Sequence, residues 1–159
     1  MTLPSSGVIA MSQVNVELGF PATTGNNMNH PWIRLLAQVA PTGLIAFSNL
    51  YGKTGRFDGS RTTAPVALSV DLNAPWWGGT IGTLQVVLGG SPEVDLFISG
   101  NFNWTGPILV INNSTGVSAR LVFTVDGRPS TNSVWKVAGN YTNLVRSGAT
   151  DSFTAVPTT

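Results

Sequence analysis

From residue 62 onward apolar side chains return at every second position, and this constrains the fold more than any other feature of the chain. Val66, Leu68, Val70 and Leu72 alternate with small or polar residues, as a strand with one buried face requires. Further strand-like runs follow over 81–88, 94–98, 108–111, 119–125, 134–137, 141–145 and 152–156. Turn chemistry separates them: Gly89-Gly90-Ser91-Pro92, Thr105-Gly106-Pro107, Asn112-Asn113-Ser114-Thr115-Gly116 and Asp126-Gly127-Arg128-Pro129. Seven or eight short strands at this spacing predict a mainly β domain over 62–159, an antiparallel β-sandwich of immunoglobulin-like or jelly-roll type. The spacing leaves the connectivity open.

Residues 1–55 follow a different logic, that of an arm of short helices and extended segments built on a duplication. Ser6-Gly7-Val8-Ile9-Ala10-Met11-Ser12-Gln13-Val14 returns as Thr42-Gly43-Leu44-Ile45-Ala46-Phe47-Ser48-Asn49-Leu50, with every position identical or chemically close. Two copies of one small structural unit are expected. Ser12 is placed to cap a helix over 13–18 that Gly19 stops, and Ser48 to cap a stub ending at Gly52. Between them, Pro31 near a first helical position predicts a helix with Trp32, Leu35, Leu36 and Val39 on one face. Ile9, Met11, Ile45 and Phe47 are expected to share one buried docking cluster. Such short elements need a larger body to pack on. The arm is expected to serve incorporation into an assembly and to be dispensable for folding of the β-domain.

This arm resembles a segment at the start of many tailed-bacteriophage virion proteins, above all tail-associated ones. The resemblance rests on Ser6-Gly7-Val8-Ile9-Ala10-Met11-Ser12, then Glu17-Leu18-Gly19, then Gly43-Leu44-Ile45-Ala46-Phe47-Ser48-Asn49-Leu50-Tyr51-Gly52-Lys53-Thr54. Ala10 and Ala46 stand where that segment more usually has Ser, and Thr54 closes it in place of Ser. The resemblance implies a phage structural component, and it covers about a third of the chain.

Charge excludes several function classes. Only 9% of residues are charged, against roughly 25% in an average soluble protein. The net charge of +1 gives no electrostatic footprint for nucleic acid or an anionic membrane. Solubility then rests on Ser, Thr, Asn and backbone groups, as suits a surface covered by neighbouring subunits. With no Cys and one His, neither a disulfide framework nor the nitrogen and sulfur ligands of a typical zinc site exist. No signal peptide is read at the N-terminus. The expected location is a virion assembled in the host cytoplasm.

Catalytic groups are sparse. His30 precedes Pro31 and reads as a helix cap, with no acid–base partner near it in sequence. Glu93 and Asp95 would share a strand face, which suits a polar strand end better than a glycosidase pair or a calcium site. Trp76 and Trp77, flanked by Pro75 and glycines, are candidates for a subunit contact or a sugar-stacking platform, against packing in the core. Trp104 and Trp135 read as core. The sequons at Asn103, Asn112, Asn113 and Asn140 are of the number that chance supplies in an Asn/Ser/Thr-rich chain. No catalytic residue, cofactor or metal is assigned. The expected function is a non-enzymatic structural component of a tailed-phage virion, in the tail, baseplate or fibre attachment. Its partners would be other virion proteins and copies of itself. The alternatives are a capsid decoration protein and a carbohydrate-binding receptor-recognition module for a host surface glycan.

Overall fold

The structure is a computed structural model that describes residues 2–159. Eight antiparallel strands form one sheet: β1 (Phe57–Thr62), β2 (Ser69–Trp76), β3 (Gly79–Val87), β4 (Glu93–Ser99), β5 (Ile108–Asn112), β6 (Ser118–Val125), β7 (Ser133–Ala138) and β8 (Thr150–Pro157). Their order is β1-β8-β5-β6-β7-β4-β3-β2. Alternation works as expected, with Val94, Leu96 and Ile98 of β4 and Ile108 and Val110 of β5 all buried.

The expected two-sheet sandwich is not what forms. β6 pairs with both β5 and β7, so the strands run on as one sheet that curls into a nearly closed barrel. The two edge strands approach each other across a seam. There Arg61 of β1 donates from Nε to the Leu72 carbonyl of β2 at 2.9 Å, and Nη2 donates to the same oxygen. A side chain thus covers backbone edges that would otherwise invite pairing with another chain.

Three local expectations change. β1 carries too little apolar alternation to be read from sequence, and it exists because β8 pairs with it from Phe57↔Ala155 to Thr62↔Thr150. The run from Val66 starts late, at Ser69, because Val66 takes a left-handed φ of 60° and is exposed. The apolar run 141–145 is loop, not strand, with Leu144 and Val145 buried. Here the buried Asn112 amide donates to the Leu144 carbonyl at 3.0 Å and to Asp151 at 2.9 Å.

The arm packs at the opposite end of the barrel, where β2 passes to β3 and β4 to β5. It holds α1 (Met11–Glu17), α2 (Pro31–Ala37) and a 3-10 turn (Phe47–Leu50). Its Val14, Leu18, Ile33, Leu36 and Leu50 are fully buried in the same hydrophobic cluster as the barrel interior. Aromatic rings carry the packing across: Phe20 stacks on Trp32 at 4.9 Å, Trp32 meets Trp104 at 4.6 Å, and Trp104 meets Trp77 at 4.9 Å. The switch in periodicity near residue 60 therefore marks a change of secondary structure without a break in the core. α2 starts as expected, with Pro31 first and His30 Nδ1 accepting from the Trp32 N–H at 3.3 Å. Its buried face is turned from the expected one: Ile33 and Leu36 point inward and Leu35 outward.

Candidate docking surface

The two copies of the repeat follow one backbone course up to the first helical turn, where the first continues as α1 and the second ends as the 3-10 turn. Gly7 and Gly43 take φ of +86° and +95°, with no atom within 4 Å of where a Cβ would stand, so backbone conformation alone calls for glycine. Ala10 and Ala46 are extended and lead into the helical turns. The caps lie two residues before Ser12 and Ser48, and they are made by an amide. Gln13 Oε1 accepts from the Ala10 N–H at 2.8 Å, and Asn49 Oδ1 from the Ala46 N–H at 2.8 Å. Alanine has no oxygen to return the bond, so only the backward half of a capping box remains.

Burial of the expected cluster is uneven. Ile9 is buried, Met11 and Ile45 are half-buried, and Phe47 is 38% exposed. The residue after each glycine points fully outward: Val8 is 91% exposed and Leu44 is 101% exposed. Side chains fasten both projections. The Tyr51 hydroxyl donates to the Gly7 carbonyl at 2.6 Å, and the buried Arg34 donates to the Gly43 carbonyl. Backbone bonds from Leu3 to Lys53 and from Gly52 to Pro4, each 3.0 Å, join the segment before the first copy to the segment after the second. Phe47 and the 38%-exposed Tyr51 add to the apolar character of this surface. No acidic residue occurs between Leu18 and Phe57, where Arg34, Lys53 and Arg56 all stand.

Sequence reasoning missed Val8, Leu44, Tyr51 and Arg34. A usable signal was present, since an aliphatic residue is retained after the glycine in both copies although burial gives no reason for it.

Glu17 joins the arm to the barrel. Its Oε1 accepts from the Gly55 N–H at 2.8 Å and the Arg56 N–H at 3.1 Å, while buried Oε2 has no partner among the described residues. Burial pushes this carboxyl up to about 7 from its ordinary 4.5, and the two backbone bonds only partly offset it. Two charged groups near it, Arg56 and Asp58, pair with each other at 2.6 Å. The folded chain thus keeps a proton that the unfolded chain releases. Stability from this site is complete below about pH 4.5 and is lost as the pH rises to about 7. The loss is about 3 kcal/mol. The stability of the parent chain minus that of Glu17→Gln, measured by urea unfolding, should fall by about this much between about pH 4 and pH 8. A pH-independent difference would contradict this assignment.

The other singled-out residues take structural places. Trp76 and Trp77 are buried, so they present no stacking platform to a sugar or a subunit. Trp77 Nε1–H donates to the Gly55 carbonyl at 2.8 Å. Trp104 and Trp135 lie in the core as expected. His30 is half-buried between Phe20 and Trp32, and burial lowers its pKa. Lys136 Nζ lies 3.1 Å from Glu93 and 3.2 Å from Asp95, which ties the two carboxylates to one cation. Among the described residues no three His, Asp or Glu side chains come together as a metal site requires. Among the described residues no helix is long and apolar enough to cross a membrane. No family model matches the chain, and no curated protein or solved structure matches it.

Proposed function

We propose that this chain is a non-enzymatic structural component of a tailed-phage virion, of the tail, baseplate or fibre attachment, which docks on a neighbouring subunit through the duplicated element. The resemblance of the arm to the leading segment of phage tail-associated proteins supports the class. One observation carries the docking role: two copies of one backbone course each hold an aliphatic side chain fully in solvent, at the same position. Folding gains nothing from that arrangement. Two rigid apolar projections suit insertion into apolar recesses of a partner.

Burying an aliphatic side chain contributes about 1.5–3 kcal/mol, so loss of both anchors should weaken docking 100-fold or more. The double variant Val8→Asp, Leu44→Asp should keep the parent melting temperature and enter particles at a small fraction of the parent level. Normal incorporation of the folded variant would refute the docking role. Quantitative mass spectrometry of separated heads and tails then tests the position. A few copies confined to tails are expected, whereas a fixed ratio to the major capsid protein would mark a decoration protein.

A further inference from the structure

Beside the second projection lies a groove of about 320 Å³, lined by Asn29, Pro31, Arg34, Leu35, Val39 and Pro41. We propose that this groove receives a carboxylate carried next to an aliphatic side chain on a peptide segment of the partner. The proposal deepens the docking role above and rests on it.

Arg34 carries the argument. Its side chain is almost wholly covered, at 5% exposure, yet among the described residues no carboxylate lies within ion-pair distance of it. It is held by neutral acceptors only. Nη1 donates to the Ala40 carbonyl at 2.7 Å, and Nη2 donates to Asn29 Oδ1 at 2.9 Å and to the Gly43 carbonyl. A guanidinium has five N–H donors. Nε–H and the second hydrogen of Nη1 have no protein acceptor among the described residues, and Nε is not fully enclosed, so it stays open to an incoming group. A cation removed from water without a counter-charge is costly, and a carboxylate brought to it gains charge-assisted hydrogen bonds. The acidic residues of this chain are engaged elsewhere or far along the sequence, so the counter-charge has to come from outside. Pro31, Leu35, Val39 and Pro41 fix the rest of the chemistry, because they offer apolar walls to whatever bears the charge. The volume is at the small end for ligand sites, enough for one or two residues. A free phosphate would leave the apolar walls unused.

A carboxylate of this kind comes either from a chain end or from an Asp or Glu side chain, and three probes separate the cases. N-acetyl-leucine carries the first, N-acetyl-aspartyl-leucinamide the second, and N-acetyl-leucinamide neither. Titrated into the ¹⁵N-labelled full chain, a carboxylate-bearing probe should shift the amide resonances of Arg34, Leu35 and Val39 saturably. N-acetyl-leucinamide should bind at least tenfold more weakly. Which acid binds identifies the source. No saturable shift with either acid, or equal binding of all three, overturns the proposal. Arg34 also holds the Gly43 carbonyl, so Leu35→Glu is the better variant: it sets a carboxylate on the exposed rim and should reduce probe binding at least tenfold with the fold intact. Unchanged binding by that variant also overturns the proposal. Docking of the Val8→Asp, Leu44→Asp variant is measured separately. If that variant docks normally, the docking role fails whatever the probes do. If it fails to dock while the probes do not bind, the groove assignment alone is wrong.

Discussion

Removal of residues 1–55 is expected to leave a chain that does not fold cooperatively. Five arm side chains, Val14, Leu18, Ile33, Leu36 and Leu50, are fully buried against the barrel end. At about 1.5–3 kcal/mol each, their burial is comparable with the entire stability of an ordinary domain, about 5–15 kcal/mol. The deletion also uncovers Trp77 and Trp104, which are now 1% and 3% exposed. An aggregated or molten product is expected, without a sharp thermal transition followed by near-ultraviolet circular dichroism. A soluble fragment 56–159 that melts cooperatively would show that the arm is an appendage, as the change in sequence periodicity suggests.

The second large effect is expected at Trp77, where arm and barrel meet. Its N–H donates to the Thr54 carbonyl at 2.6 Å, its own carbonyl accepts from Asn103 at 2.9 Å, and its ring lies against Trp104. Truncation to Ala removes that ring from a filled core and leaves the Gly55 carbonyl without its donor. A loss of about 3–5 kcal/mol is expected, read from urea unfolding with an unchanged m-value. Trp77→Phe should lose less, since it keeps most of the apolar volume. A loss under about 1 kcal/mol for the Ala variant would return Trp77 to the surface role that its Pro and Gly neighbours imply.

That residue shows where sequence reading stops. Pro75, Trp76, Trp77, Gly78 and Gly79 look like an exposed turn, and Trp77 and Gly78 do form the β2–β3 turn. Trp77 is buried because the end of α2 and the residues around Gly55 fold over it, contacts with partners that are distant in sequence. Arg34 is a parallel case. It lies in a helix whose apolar spacing was legible, but its burial depends on the path of the chain from Ala40 to Gly43. Val8 and Leu44 are the converse, aliphatic residues that the three-dimensional structure leaves outside.

By itself the sequence determined what short-range forces control. Alternation specified most strands, Gly and Pro specified turns, and the duplication specified two matching backbones through glycines and amide caps acting over three residues. Tertiary structure alone decided that the strands curl into a nearly closed barrel, that β1 exists, and that the arm shares the core. It also decided which apolar side chains remain in water. Those outcomes depend on pairings such as Phe57 with Ala155 and Trp32 with Trp104. The energy of such contacts is realised only when distant segments meet, so no local pattern encodes them.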